Sequence, residues 1–453
     1  MPITFGLSAP SVVVGVMGLA IVARRDAFRV SQFVACVQFD WSPRIVLARG
    51  EVGVISVGRC AAGRRWLLAH SLSPLVERRP LYLGMMRSFR FKVRLSAGCI
   101  ARADRQLRLL RELYNAALEE RRDHWKRGVR VNFFTQCRQL TAIRAEMPEY
   151  AAIDRMVAET TLRKLDRAFD NFFRRVKEGG KPGYPRFKGR DRFNSMTYRQ
   201  TGFKVDGRYV TLRGIGRIKL HLSREIEGTI KTVTLKRDAT GDWFVTFACD
   251  GVPARPLPAT GRSVGVDLGL ATFAATSDGE LIENPRHLRG AESDVARANR
   301  RVARRKRGGT RRRKAATVLA RKHRRVASAR RDFHFKAAVS LVRSYDRIAV
   351  EDLNVRALSR SRFAKSVNDA GWGQFLHALA TKAESAGREM IVVDCRGTSQ
   401  ECSGCGAVVP KGLSVRTHVC ACGLTLDRDV NAARNILARA GPSGSGRRSQ
   451  AAA

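Results

Sequence analysis

Acidic residues are scarce in this chain. Its 453 residues hold 40 Asp+Glu against 85 Lys+Arg, a formal charge of +45 and a sequence pI of about 11.3. A folded protein this basic repels itself, which argues against most small-metabolite enzymes and for a polyanionic partner, nucleic acid first among them. A merely soluble basic protein, or one held on an acidic membrane, is the plainer alternative. Hydrophobic residues make up 44%, so the chain is not a disordered basic tail. No G-x-x-x-x-G-K-[ST] loop is present, which removes ATP-driven chemistry from the expectation. An evenly spaced cysteine framework is also missing. Six of the ten cysteines (Cys36, Cys60, Cys99, Cys137, Cys249 and Cys395) are scattered, while Cys402, Cys405, Cys420 and Cys422 crowd together near the end. This suits a reducing cytoplasm and one metal site better than a secreted disulfide scaffold.

Lysine is absent from residues 1–84, although arginine is plentiful there. The segment shows no sustained period. Its uncharged, mostly apolar run, 7–23, has 17 residues, at the lower limit for a membrane span. No positive charge precedes it, so it does not read as a signal peptide. The expectation is a mis-assigned start, with the working chain beginning at Met85 or Met86 and 1–84 a disordered extension.

From Ser88 to Leu95 apolar and basic residues alternate, as in a strand with one basic face. Leu107, Leu110, Leu113, Tyr114 and Leu118 recur at helical spacing within 102–128, and two further helices are expected over about 133–146 and 154–178. The Gly/Pro-punctuated loop 179–188 interleaves Lys181, Arg186 and Lys188 with Tyr184 and Phe187. Rings beside phosphate-binding cations suit a nucleic-acid strand; a surface loop with buried rings is the alternative. Short alternating runs over 200–250 predict an antiparallel sheet or barrel, and Pro253–Pro258 a linker. Beyond it, strands and helices alternate as in an α/β domain. Residues 297–331 hold 17 Lys/Arg and no acid, in two helical arms about Gly308-Gly309. Such a run is often only a solvated face. Its internal position and its Ala/Val/Leu spacing favour a hairpin lying on nucleic-acid backbone, through Arg304, Arg305, Lys306, Arg307, Arg311, Arg312, Arg313 and Lys314.

Lone acids in apolar strands are costly to bury. Asp267 lies between Val266 and Leu268, Glu351 follows Ile348-Ala-Val350, and Asp427 and Asp429 open the last helix. Each could merely cap a turn. Three that converge at sheet ends need cations, and two Mg²⁺ would clamp the attacking and leaving oxygens of a phosphodiester. At about 100° per residue, Asp429 shares a helix face with Ala433, Ile436, Leu437 and Ala440, whereas Asp427 falls on the far side as a helix cap. Cys402-x₂-Cys405 and Cys420-x-Cys422 form two knuckles suited to a closed, structural Zn²⁺; the one-residue second gap is unusual.

GVDLGL around Asp267, VEDLNV around Glu351, TSQECSGCG, CGLTLDRDVNAARNI, YNAALEER and GGKPGYPRFKGR together resemble the TnpB family, transposon-encoded RNA-guided DNA nucleases related to compact type V CRISPR effectors. The resemblance runs from about Met86 to Arg439. It implies an α/β plus β-barrel architecture: a first wedge strand in 85–101, a helical recognition insert in 102–178 and a wedge β-barrel in 179–258. A RuvC-like RNase H fold would follow over 259–395, carrying the basic hairpin 290–332, then a zinc ribbon over 396–424 and a last RuvC-like segment over 425–440. Residues 441–453 would be a disordered tail. By motif position Asp267, Glu351 and Asp429 match the family's catalytic acids, with Asp267 bridging two Mg²⁺ ions and each of the others completing one site. The implied activity is cleavage of double-stranded DNA beside a short flanking motif, directed by a guide RNA from the transposon end, leaving 5′-phosphate and 3′-hydroxyl ends. A cytoplasmic, nucleoid-associated protein without a membrane partner is expected, its oligomeric state open. Two alternatives remain, a transposase catalysing strand transfer and a non-enzymatic DNA- or RNA-binding regulator.

Overall fold

The computed structural model describes residues 85–441 except 191 and 413, without the side chain of residue 200. Before residue 85 it describes only the backbone of five short strands. These fall in a unit of their own, Met1–Leu81. Asp40–Ala48, Glu51–Arg59 and Arg65–His70 form an antiparallel meander, and Thr4–Phe5 pairs with Val12–Val13. The rest of the segment expected to be disordered, most of its apolar run, and the tail beyond Gly441 lie outside the described residues. No helix among the described residues is long and apolar enough to cross a membrane.

The second unit begins with β1 (Met85–Arg94), which buries Phe89, Phe91 and Val93 and exposes Arg90, Lys92 and Arg94. Helix α1 (Ala97–Lys126) starts five residues before the expected position because Ser96 caps it, accepting from the Cys99 amide. Asn132 and Asp154 likewise cap α2 (Phe133–Glu146) and α3 (Arg155–Lys177). Leu107, Leu110, Leu113, Tyr114 and Leu118 face inward and join one core with Leu140, Leu162 and Leu165.

That core continues into a seven-stranded antiparallel sheet. Its later strands are β2 (Ser195–Arg199), β3 (Phe203–Asp206), β4 (Tyr209–Leu212), β5 (Gly216–Leu220), β6 (Thr229–Arg237) and β7 (Trp243–Val252), in the order β2-β6-β7-β1-β5-β4-β3. The outermost strands β2 and β3 are joined by only the turn Gln200–Gly202. Four residue steps reach at most about 14 Å, whereas seven flat strands would span roughly 29 Å between the outer two. The sheet must therefore curl almost into a barrel. The segment after β7 is no free linker, because the Arg255 and Leu257 amides donate to the Ser385 and Ala386 carbonyls.

The second sheet comprises β8 (Ser263–Leu268), β9 (Thr272–Thr276), β10 (Leu281–Glu283), β11 (Arg347–Glu351) and β12 (Glu389–Val393), ordered β10-β9-β8-β11-β12. The first three are antiparallel, while β11 and β12 run parallel to β8. Between β10 and β11 come α4 (Glu292–Ala303) and the long α5 (Thr310–Ser344); α6 (Trp372–Ser385) precedes β12. Helices α5 and α6 cover one face through Ala338, Leu341, Phe375 and Leu379. On the other lies α7 (Arg428–Arg439), with Ile436 and Ala440 against Ala349, Ile391 and Val393.

Candidate active site and metal centre

Strand alternation assigns the acids to a face. Val264, Val266 and Leu268 point into the core with α5 and α6, so Gly265 and Asp267 point toward α7. Strands β8 and β11 run in parallel register, Val266 opposite Val350. Asp267 and Glu351 each lie one residue further, side by side at the carboxyl ends of neighbouring strands. Ala349, two residues before Glu351, packs on Ile436 of α7, which places Glu351 on the same face. Helix α7 is drawn down onto Gly265, where a Cβ would stand 2.0 Å from the Ala433 carbonyl oxygen. Asp429, one turn before Ala433, brings its Oδ2 to 3.6 Å from the place of a Cβ on Gly269. The fold thus gathers Asp267, Glu351 and Asp429.

Asp427 does the bland work expected of it. Its Oδ1 accepts from the Asp429 and Val430 amides at 2.8 and 3.3 Å, capping α7. Burial pushes the Asp267 carboxyl well above its ordinary range, and the charges of Glu351 and Asp429 push it the same way. Burial also raises Glu351 and Asp429. Three half-buried or buried carboxylates crowded in this way favour protonation or divalent cations. The three do not form a one-ion cage. Among the described residues, only the four cysteines form a group of three or more potential ligands all within 4.8 Å of one another. Two ions about 3.5–4 Å apart ask for a wider arrangement, and the donor chemistry, oxygen alone, suits Mg²⁺.

Several positioning residues were not singled out in the sequence. Thr398 Oγ1 donates to Glu351 Oε1 at 2.6 Å, and Arg416 lies 3.7 Å from Asp429 Oδ2. Asn431 bonds the Ser403 amide and Glu401 carbonyl; Asn435 bonds the Thr398 and Glu401 carbonyls. These asparagines tie the cysteine segment to the helix that carries Asp429. Their spacing of four puts both on one face of α7.

The hairpin of β13 (Thr417–Val419) and β14 (Thr425–Asp427) carries Cys420 and Cys422 in its turn, with Gly423 at φ +90°. Its second strand runs past 424, the boundary expected for the ribbon. The tight turn explains how a one-residue gap suffices. The Cys402–Cys422 and Cys405–Cys420 sulfurs are 3.7 and 3.5 Å apart. A tetrahedron with 2.3 Å Zn–S bonds has edges of about 3.8 Å. Hydrogen bonds from the Cys405 and Gly404 amides lower the Cys402 thiol, whereas the neighbouring sulfurs raise Cys405, so the four crowded thiols do not all ionise without a cation among them. The four cysteines fit a closed structural Zn²⁺.

The basic residues have mixed fates. Arg304, Lys306, Arg307, Arg311, Arg313 and Lys314 are exposed between and along α4 and α5. Arg312 is a clasp, its guanidinium donating to the Val302 and Arg305 carbonyls at 2.7 and 3.0 Å, and Arg305 is half-buried beside it. In the 179–188 loop Lys181 and Arg186 are exposed, as are the rings of Tyr184 and Phe187; Lys188 is partly buried and anchored through its backbone to Asn115.

Comparison with known proteins places these observations in a family. A family model described as "Probable transposase" matches residues 244–362, and one described as "Cas12f1-like, TNB domain" matches 372–436. A Streptomyces pristinaespiralis protein named "Putative RNA-guided DNA endonuclease" is 35% identical over 362 residues, covering 78% of this chain and 89% of that protein. The Escherichia coli K12 protein named "Putative RNA-guided DNA endonuclease InsQ" is 29% identical over 62% of this chain and 73% of its own length. A Cas12f1 structure, solved by cryo-EM with sgRNA and target DNA, aligns over 75% of this chain and 82% of its own at 16% identity and a TM-score of 0.49. By the extent and identity of the Streptomyces match, this chain belongs to the TnpB family.

Proposed function

We propose that this protein is an RNA-guided DNA endonuclease that hydrolyses phosphodiester bonds at Asp267, Glu351 and Asp429 with two Mg²⁺ ions. The observation that carries the reading is the meeting of these three acids on one sheet face in a chain of charge +45. The order β10-β9-β8-β11-β12, three antiparallel strands and then two parallel to β8, supports an RNase H-type reading of this sheet. The names of the relatives supply the guide RNA and the DNA target.

The ions would supply Lewis-acid stabilisation of the phosphorane charge and a water of lowered pKa. This chain's own residues set the stage. Three carboxylates carry −3 when ionised; two divalent ions bring +4, leaving a site complementary to a phosphodiester. Thr398 fixes one oxygen of Glu351, and Arg416 offsets the charge of Asp429. Hydrolysis adds water across the P–O3′ bond, with the hydroxyl joining phosphorus and the proton passing to the departing O3′. Exposed cations along α4 and α5 would grip nucleic-acid backbone, while base pairing with a guide from the transposon end reads sequence. A short flanking DNA motif would license cutting.

The test is to sequence RNA that co-purifies with the protein, then supply that RNA, retargeted, with a plasmid library carrying randomised flanks. Mg²⁺-dependent breaks beside a shared short motif, abolished by EDTA, are expected. Strand-transfer products formed without RNA would favour a transposase, and binding without breaks a regulator; either overturns the proposal.

A further inference from the structure

A cavity of about 290 Å³ opens behind the turn that follows Asp267. Its floor is Leu270 and Ala271, in the β8–β9 turn that follows Asp267. Arg416, which lies 3.7 Å from Asp429, forms part of its wall, so one arginine borders both the cavity and the carboxylate site. Arg286, Arg289 and Lys365 add three more cations. The acid in the wall, Asp369, is consumed internally. It accepts from the Leu288 and Arg289 amides at 2.8 and 3.1 Å and pairs with Arg330 at 3.0 Å. The wall therefore presents net positive charge, with Lys365 paired to Glu292 and Arg416 only loosely to Asp429.

Two further features point to a base as well as a phosphate. Phe363, an exposed residue (42%), lines the cavity, and the Arg362 guanidinium lies 4.8 Å from its ring centre. Exposed rings beside cations are the stacking platforms of single-strand binding. Arg286 is also the non-glycine residue held at positive φ, +45°, among those described. Such a conformation is costly and persists where the surroundings impose it, often at ligand sites. Asn284 accepts from the Arg286 amide at 3.2 Å while its own amide donates to the Leu270 carbonyl at 2.9 Å. One side chain thus links the loop behind Asp267 to the orientation of Arg286. The volume lies at the lower end of the ~300–1,000 Å³ range of small-ligand sites, too small for a duplex and suited to one nucleotide unit.

From this placement we infer that the cavity is a subsite for one unpaired deoxynucleotide of the strand being cut, its base on Phe363 and its phosphate on Arg286, Arg289 and Arg416. The inference rests on the proposed nuclease reading for its choice of DNA. It assigns Phe363 and Arg286 to holding an unpaired strand beside the carboxylates.

The test uses the full chain and a short single-stranded DNA oligonucleotide carrying 5-iododeoxyuridine, cross-linked by light and mapped by mass spectrometry. A second arm measures guided plasmid cleavage. Phe363→Ala should abolish the cross-link and weaken oligonucleotide binding by about 5- to 150-fold, from stacking worth ~1–3 kcal/mol per base; Phe363→Trp should retain both. Arg286→Gly, which the positive φ tolerates, should lower the salt slope of binding by roughly 0.7, one single-strand phosphate contact. Melting temperatures should stay at the wild-type value for the Phe363 variants, because that ring is exposed. Cross-links confined to other residues, or formed at Phe363 only by an iodouridine RNA, would overturn the inference. The two readings separate cleanly. Guided cleavage at wild-type rate in Phe363→Ala sinks the subsite and spares the nuclease, whereas a Phe363 cross-link in a protein that never cuts DNA sinks the nuclease and, with it, the assignment of the bound nucleotide to a strand being cut.

Discussion

Gly265→Ala separates a seated helix from a merely neighbouring one. The added methyl would lie 2.0 Å from the Ala433 carbonyl oxygen, 2.7 Å from the Leu437 nitrogen and 3.0 Å from the Ala433 carbonyl carbon. All three are main-chain atoms of α7, so no rotamer change can relieve the clash. The helix must retreat by about 1.4 Å or more to bring that 2.0 Å approach out to ordinary contact. Asp429 lies one turn from Ala433 on the same rigid rod and must move with it. Overpacking of this kind costs about 1–3 kcal/mol of stability, and a 1 Å displacement at a reacting centre costs on the order of 100-fold in rate. Guided plasmid cleavage in Mg²⁺ should therefore slow about 100-fold while guide-RNA binding is kept. Calorimetry should show a melting temperature lower by several degrees. Gly373→Ala is the control, since its methyl meets nothing within 4 Å inside α6. It should leave cleavage unchanged and stabilise by about 0.5–1 kcal/mol. Wild-type cleavage and melting in Gly265→Ala would refute the placement of α7 on β8.

Asp427→Ala should cost about 1 kcal/mol as a lost helix cap, lowering the melting temperature while substantial cleavage remains at low temperature; a stably folded but inactive variant would contradict the capping role. Asp242 is held down to about 2 chiefly by the Arg324 guanidinium, with Lys92 and Thr240 adding to it. A carboxylate lowered in the folded state stabilises above its unfolded pKa and loses that contribution as pH falls from about 4 to 2. After discounting for partial exposure, Asp242→Asn should lose about 1 kcal/mol at pH 7 and converge on wild type near pH 2 in urea unfolding. Replacing Arg304, Arg307, Arg311 and Arg313 with Ala should lower the slope of log K against log salt for nucleic-acid binding by roughly one unit per lost phosphate contact; an unchanged slope would make the hairpin a solvated face. Stripping zinc with a chelator should slow cleavage even in excess Mg²⁺, because Glu401, Ser403 and Thr398 lose their fixed hold on α7 and Glu351. Full activity in Mg²⁺ by a protein shown by mass spectrometry to be zinc-free would refute that coupling.

Patterns set by local physics were legible in the sequence. The apolar spacing of α1, the alternation in β1, the isolated acids of β8 and β11 and the paired cysteines each announced themselves within a few residues. The face assignment of Asp429 over Asp427 needed only the pitch of a helix, and the hydrogen bonds of Asp427 agree with it. What stayed hidden depends on contacts distant in sequence. Nothing near Thr398 announces Glu351, 47 residues away. Arg312 looks like its neighbours, yet it closes the hairpin by taking two carbonyls across the Gly308-Gly309 turn. The Pro-rich segment after β7 reads as a linker because its pinning partners, Ser385 and Ala386, are about 130 residues further on. The near-closure of the barrel follows from a three-residue turn between its edge strands, which only the strand order makes visible.

The most direct measurement of the central claim is guided, Mg²⁺-dependent plasmid cleavage by Asp267→Ala, Glu351→Ala and Asp429→Ala, each with its co-purified RNA quantified and its melting temperature recorded. All three variants should fold, retain RNA and fail to cut, because each carboxylate is needed at the cation site. Cutting at the wild-type rate by any one of them, at full RNA occupancy, would contradict the assignment of these three acids to the reaction.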